Sequence, residues 1–209
     1  MVLERCWVSM SISKKLSLGC LNFIKNNTSS SEEDLEKIYY GIQIIWINLL
    51  KFIILFLTAY LLGILRYTFT AFIIFAILRS FASGVHANSS IQCIIINYIL
   101  FLGDVYLSLN LTLNLWYKTI IFTISFILLL LYSPADTEER PLISKKLRKN
   151  LKIKSILVLI IFYIITFLIA SNEYINLIIF STLGESIVVT PAAYKLLGKK
   201  YANYKNISI

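Results

Sequence analysis

The 209-residue chain has the composition of an integral membrane protein. Hydrophobic residues make up 58% of it and charged residues 15%, against about 45–50% and about 25% in soluble globular proteins, and its mean hydropathy is +0.77. These values exclude a disordered chain, a disulfide-rich secreted domain and a soluble nucleic-acid-binding domain. The formal net charge of +9 comes from clustered basic residues, a pattern that points away from nucleic-acid binding.

Six apolar stretches predict six transmembrane helices. A helix needs about 20 residues to cross the bilayer, and the stretches lack the alternation of polar and apolar residues seen in barrel strands. The second stretch is short, so its helix must extend past Arg79 or be partly re-entrant. We therefore expect an all-α polytopic membrane protein with about six transmembrane helices; five spans, or four with re-entrant segments, are the alternatives. The stretches are residues 38–65, 67–78, 91–109, 111–132, 156–170 and 174–193.

We expect one membrane domain over residues 1–209, with four parts. Basic residues are concentrated in three of these parts and are absent near 108–115 and 171–176. The positive-inside rule therefore places both termini and residues 80–90 in the cytoplasm. The first part carries apolar residues among lysines without a signal-peptide core, which predicts an interfacial helix. The parts are an amphipathic interfacial segment (1–30), a transmembrane helical core (38–193) containing a basic cytoplasmic loop (133–154), and a basic cytoplasmic tail (194–209).

A polar break in the apolar half contains the one histidine of the chain, His86, and one of its three cysteines, Cys93. A thiol and an imidazole are the minimum pair for cysteine acyl chemistry, because a base must generate the thiolate. In one unbroken helix their spacing would separate them by about 10 Å, beyond hydrogen-bond reach. Residues 83–84 and 88–90 offer the turn that is needed, and a serine there could cap the next helix. Cys93 would then lie in the first turn of that helix, where the helix dipole favours a thiolate.

The same pair also has a structural interpretation. A histidine in a membrane loop is often an interfacial or cavity residue, and cysteine is a common small apolar residue. From spacing alone, both interpretations remain open.

Ionisable side chains inside the apolar stretches are further candidates. Lys51, Asp104 and Glu185 each lie in a predicted span, where ionisable groups are commonly functional. The alternative for each is a structural ion pair or a contact with a lipid headgroup. Arg79 closes the second stretch, and either extends to the membrane surface or binds a substrate carboxylate or an oxyanion.

We expect no metal and no cofactor. Three cysteines and one histidine could in principle ligate zinc, but Cys6 and Cys20 lack the paired spacing of zinc ligands. An odd cysteine count facing the reducing cytoplasm also argues against disulfides, so Cys6 and Cys20 are interpreted as unreactive. The basic loop at 140–154 is expected to face lipid, with an acidic peptide as the alternative ligand.

The residues around His86 resemble the core motif of the accessory gene regulator B (AgrB) family, membrane endopeptidases of Gram-positive quorum sensing. The resemblance covers about residues 37–191. Ser83 stands where the family often has a first glycine, a mild departure. The strings that match are Arg79-x4-Gly84-Val85-His86-Ala87-x-Ser89-Ser90-x-x-Cys93, Tyr40-Gly41-Ile42-Gln43, Tyr132-Ser133-Pro134-Ala135-Asp136-Thr137, Pro141-Leu142-Ile143, and Glu185 six residues before Pro191.

The resemblance implies a membrane cysteine endopeptidase acting on an AgrD-like precursor peptide. His86 would take the proton of Cys93, and the thiolate would release the acidic C-terminal tail of the precursor and leave a thioester. A thiol or hydroxyl of the bound peptide would then close a macrocyclic thiolactone or lactone. The resemblance also implies a bacterial cell-membrane location and a homodimer.

The resemblance implies supporting residues as well. Arg79 would stabilise the oxyanion or bind the acidic tail, and Gly84 would allow the turn. Gln43 ranks first as the group that orients His86, because the block that contains it matches. The weaker candidates are Asn88, Ser89, Lys51, Asp104 and Glu185.

Two rival functions come from other classes. A small transporter would depend on the intramembrane charges more than on Cys93 and would tolerate its replacement by serine. A non-catalytic membrane scaffold would tolerate the loss of both His86 and Cys93.

Overall fold

The computed structural model describes residues 7–28, 31–87, 89–138 and 140–206, so Cys6 and Asn88 lie outside the described residues. Within these ranges every regular element is a helix, which confirms the all-α prediction. The α-helices are α1 (Trp7–Asn27), α2 (Glu32–Leu61), α3 (Leu65–Ala82), α4 (Ser90–Asn97), α5 (Gly103–Asn110), α6 (Leu115–Tyr132), α7 (Lys145–Ile165), α8 (Asn172–Val188) and α9 (Pro191–Leu196).

In the described part of the chain, four helices are long and apolar enough to cross a membrane. They are α2, α3, α6 and the continuous helix Ser90–Asn110, in which a π-helical segment (Tyr98–Leu102) joins α4 to α5. α7 and α8 occupy the fifth and sixth predicted stretches. The first turns of α7 are strongly basic and α8 has 17 residues, so the count of six spans stays a prediction for these two.

The helix ends follow local sequence signals. Ser31 caps α2 by accepting a hydrogen bond from the amide of Asp34, and three acidic residues fill the first turn of that helix, where the helix dipole favours negative charge. α1 packs against α2, as expected of an N-terminal helix. Its position in the membrane interface stays a prediction.

α3 resolves the short second stretch. Its helix extends past Arg79 to Ala82 and reaches 18 residues. Phe101 of the π-helical segment packs against Phe72 and Phe75 of α3 at 5.6 and 5.2 Å between ring centroids. Since the chain reverses direction after α3, these contacts bring the start of α4 to the Arg79 end of α3.

α8 lies at the centre of the helical bundle. It packs against α3, α5 and α6, and most of its length is buried despite several polar residues. The outer helices instead expose large apolar side chains, for example Leu131 on α6 and Ile161 on α7. Such exposed faces are unfavourable in water and suit contact with lipid. α8 is therefore a buried helix that carries polar residues and is surrounded by helices with apolar outer faces. The candidate site is held at its end.

Candidate functional site

The polar break forms a non-helical loop at the end of α3. α3 ends at Ala82 and α4 begins at Ser90, so the predicted interruption between His86 and Cys93 is confirmed. The loop is fastened at two points: the amide of Ala135 donates to the carbonyl of Ala82 at 3.0 Å, and the amide of Val85 donates to the carbonyl of Val188 at 3.5 Å. It is thus held between the end of α6 and the end of α8.

Ser83 holds a backbone conformation that favours glycine. Its φ is 57° and its ψ is −154°, a region occupied almost entirely by glycine and costing other residues about 1–3 kcal/mol. Ser83, which replaces the glycine often found at this position in the resembled family, therefore lies where the backbone geometry favours glycine.

We expect Ser83→Gly to stabilise the protein by about 1 kcal/mol, because glycine relieves this strain. Thermal unfolding in detergent would show a higher midpoint. Ser80→Gly is the matched control, since Ser80 is exposed and helical in α3 and glycine there should cost about 1 kcal/mol. A lowered midpoint for both variants would contradict the strain at Ser83.

His86 lies in this loop with an exposed side chain. It borders a small recess that also contains Tyr194 and residues of two other segments, Thr137 and Glu138 after α6 and Lys199 and Lys200 after α9. Two lysines and one glutamate therefore lie beside the imidazole, and their net charge is positive. The sequence indicated only a basic tail; its placement beside the histidine comes from the fold.

Cys93 lies at the end of the first turn of α4. Ser89 caps this helix, as predicted, by accepting a hydrogen bond from the amide of Gln92 at 3.2 Å. The amide of Cys93 donates to the carbonyl of Ser89 at 3.0 Å, the first backbone bond of the helix. The thiol is free and half-buried, with the Asn97 amide nitrogen 3.9 Å from its sulfur.

Arg79 and Glu185 form a buried ion pair across the helix bundle. Nη1 of Arg79 lies 3.2 Å from Oε2 of Glu185, and the glutamate side chain is fully buried. Nη2 of the same guanidinium donates to the carbonyls of Val85 at 2.8 Å and Gly84 at 3.4 Å. Arg79 thus links α8 to the two residues before His86. A pair so far apart in sequence was not predicted, although each residue was singled out.

Gly84 is needed for both its conformation and its small size. Its φ is +146°, and a Cβ there would lie 2.9 Å from Nη1 of Arg79 and 3.1 Å from Cγ1 of Val188. These distances are shorter than a methyl group tolerates. A larger residue would displace the guanidinium, the α8 end or the loop.

Gly84→Ala is expected to lower stability by about 1–3 kcal/mol, since alanine is strained at this φ and crowds Arg79. The thermal midpoint of the detergent-solubilised protein measures this. In Gly41→Ala, a Cβ would meet nothing within 4 Å, and alanine in the helix should raise the midpoint. Equal midpoints for Gly84→Ala and wild type would contradict the close packing around Gly84.

Asp136 is a buried residue whose role the sequence did not indicate. Its carboxylate accepts hydrogen bonds from the amides of Asn203 at 2.9 Å, Tyr204 at 2.7 Å and Leu142 at 3.4 Å. The hydroxyl of Tyr194 donates to its carbonyl at 2.7 Å. Burial, followed by the nearby Asp136 charge, raises the pKa of Tyr194, which keeps this donor protonated. Asp136 therefore ties the tail to the segment that fastens the His86 loop.

The remaining candidates lie on other helices. Asp104 is buried against α8, where its carboxylate accepts hydrogen bonds from Ser108 at 3.0 Å and from Ser181; along the helix axis it is about 16 Å from Cys93. Gln43 and Lys51 are half-buried on α2. α2 is hydrogen-bonded to the α4–α5 helix through Thr58, about four turns beyond Gln43. An orienting role for Gln43 stays a prediction.

Comparisons with known proteins place the chain in a family. The family model Accessory gene regulator B matches residues 17–189. A putative AgrB-like protein of Clostridium acetobutylicum is 37% identical over 82% of each chain, and one of Listeria innocua is 36% identical over 87% of this chain and 89% of the relative. The accessory gene regulator protein B of Staphylococcus intermedius is 31% identical over 74% of this chain and 81% of its own length. The chain matches no solved structure.

The family match spans the bundle from α1 to the end of α8 and includes both residues of the buried ion pair, the loop with His86 and the capped helix with Cys93. The relatives cover most of the chain at more than 30% identity. The chain is therefore a member of the accessory gene regulator B family.

Proposed function

We propose that this protein is a membrane-embedded cysteine endopeptidase of quorum sensing that cuts an AgrD-like precursor peptide. The observation that carries the proposal is the break between α3 and α4. It puts an exposed imidazole in a braced loop and the thiol of Cys93 in the first turn of the next helix, so that an unbroken helix no longer holds the two groups apart.

The chemistry has two stages. His86 takes the thiol proton, and the sulfur of Cys93 attacks the scissile carbonyl of the precursor. The tetrahedral intermediate then breaks the C–N bond, and the C-terminal tail leaves as an amine that takes the proton from His86. The remaining peptide is held on Cys93 as a thioester.

The second stage closes the ring. A thiol or hydroxyl within the bound peptide attacks the thioester and forms a macrocyclic thiolactone or lactone, which returns the thiol to Cys93. Because hydrolysis would waste the thioester, water has to be kept away until the ring closes. Placement of Cys93 among apolar helices, with its side chain half-buried, supports this requirement.

Arg79 is proposed as a positioning residue for His86. Its guanidinium donates to the carbonyls of Gly84 and Val85 while pairing with Glu185, which supports a loop held in one conformation. Stabilisation of the oxyanion by Arg79 stays a prediction. Lys199 and Lys200 lie beside His86, which supports a contact of these lysines with the acidic tail of the precursor.

The proposed partners and location follow from the family. The protein would reside in the bacterial cell membrane as a homodimer, with both termini and the His86 loop in the cytoplasm, where the precursor is made. The cognate precursor would be encoded beside this gene.

Cleavage in detergent micelles separates this function from transport. The purified protein is incubated with the neighbouring gene's peptide, and release of the tail is followed by mass spectrometry. A peptidase releases the tail in micelles, which have no two compartments for a transporter to connect. An intact peptide in micelles, together with movement of that peptide into liposomes, would overturn the proposal in favour of transport.

A further inference from the structure

A cationic cavity lies between the end of α6 and the start of α7, apart from the His86 recess. It encloses about 290 Å³ and is lined by basic residues of α7, the residues after α6 and the C-terminal tail. Its cations are Arg148, Lys149 and Lys152. The family match ends at residue 189, so the tail wall of this cavity lies beyond the matched region.

No carboxylate pairs with these three cations among the residues that the structure describes. The ion pairs there are Lys37–Glu33 and Arg79–Glu185. The carboxylate of Asp136 also borders the cavity, but its oxygens accept three backbone amides. The cavity therefore carries an excess of positive charge.

Arg148 is held in place before any ligand arrives. Its Nη1 donates to the carbonyls of Leu142 at 2.7 Å and Ile143 at 3.3 Å. Its guanidinium lies 3.7 Å from the centre of the Tyr204 ring. This cation–π contact holds the side chain without neutralising its positive charge. A fixed guanidinium with flexible lysines beside it suits the oxygens of a phosphate group.

One wall of the cavity continues onto the lipid-facing surface. Leu131 lines the cavity and is 62% exposed, and its neighbour Leu130 is 43% exposed. An acyl chain attached to a bound phosphate can therefore run along the apolar face of α6. A soluble phosphate compound would make no use of this continuity.

From this arrangement we infer a binding site for the phosphate group of an anionic lipid, at the membrane face where α6 ends and α7 begins. The phosphate would lie between Arg148 and the two lysines, and an acyl chain would follow α6. The site is independent of the proposed peptidase chemistry, since Cys93 and His86 do not line it.

Lipid titrations of matched charge variants test the site. The full-length protein in detergent is titrated with phosphatidylglycerol, phosphatidylcholine, inorganic phosphate or polyglutamate, and bound ligand is measured by native mass spectrometry. Lys149→Gln/Lys152→Gln removes two cavity cations. Lys145→Gln/Lys146→Gln removes two exposed charges of the same helix from outside the cavity, which keeps the net charge matched.

We expect the cavity variant to bind phosphatidylglycerol about 10- to 30-fold more weakly, because each lysine near an anionic lipid strengthens binding of that lipid. The control variant should bind like wild type. Inorganic phosphate bound with the same dependence would support the phosphate site and assign it a soluble source. Equal loss in both variants would overturn the site in favour of diffuse attraction. Variant-dependent binding of polyglutamate alone would overturn it in favour of an acidic peptide.

Discussion

Cys93→Ala is expected to lower precursor cleavage by at least about a thousandfold, and His86→Ala by a similar factor. Removal of a nucleophile or its base from a coupled pair typically costs this much or more. Rates of tail release by the purified protein measure both losses. Thermal midpoints near that of wild type would show that the variants are folded.

Cys20→Ala is the matched control for this prediction. Cys20 is also a free, half-buried thiol, but it lies on α1, so its loss should change the rate less than about twofold. The double variant Cys93→Ala/His86→Ala should be no slower than either single variant, since the two residues act as one unit. Retained cleavage by Cys93→Ser at the wild-type rate would contradict Cys93 as the nucleophile.

Arg79→Gln is expected to destabilise the protein by about 3–5 kcal/mol. It leaves the carboxylate of Glu185 fully buried with its charge uncompensated, and breaking a buried pair from one side costs this much. It also removes donors to the carbonyls of Gly84 and Val85. The thermal midpoint in detergent and the cleavage rate should fall together.

A double-mutant cycle isolates the ion pair. Arg79→Gln/Glu185→Gln removes both charges, and we expect it to be more stable than Arg79→Gln alone, with a coupling of about 1–3 kcal/mol. Arg79→Lys keeps the charge but loses the planar guanidinium that reaches several acceptors. We therefore expect it to affect the cleavage rate more than the thermal midpoint. Additive losses in the cycle would contradict coupling between Arg79 and Glu185.

The helical framework could be predicted because each element carries a local signal. Apolar stretches located the spanning helices, and α2 begins at a local signal as well, the Ser31 cap followed by acidic residues. The break around His86 was predictable for the same reason, since glycine, asparagine and serine favour turns and caps. The sequence offers Ser89 or Ser90 as the cap, and in the structure Ser89 accepts the Gln92 amide.

The contacts that hold the loop could not be predicted, because they join distant segments. Arg79 and Glu185 were each candidates for function, but nothing in the local sequence pairs two residues on α3 and α8. Asp136 likewise accepts amides from residues 203 and 204, which depends on how the tail folds back. Such pairings are decided by packing, which periodicity and propensity do not encode.

Ser83 shows a different limit of prediction from the sequence. The departure from glycine was visible in the sequence, but its consequence depends on a φ of 57° that only the fold determines. The π-helical segment at Tyr98–Leu102 belongs to the same class, since its residues differ little from those of the flanking α-helix. Ser83 directly follows α3 and the π-helical segment directly follows α4, the two helices that flank the candidate site.

Intact-mass spectrometry shows whether Cys93 carries the peptide as a thioester. The protein in liposomes is mixed with the cognate precursor and quenched in acid, and wild type is compared with Cys93→Ala and His86→Ala. We expect wild type to gain the mass of the precursor minus that of the released C-terminal peptide, and Cys93→Ala to gain nothing. A precursor that is cut equally well by Cys93→Ala, or an adduct that survives that substitution, would show that Cys93 is not the nucleophile that carries the peptide.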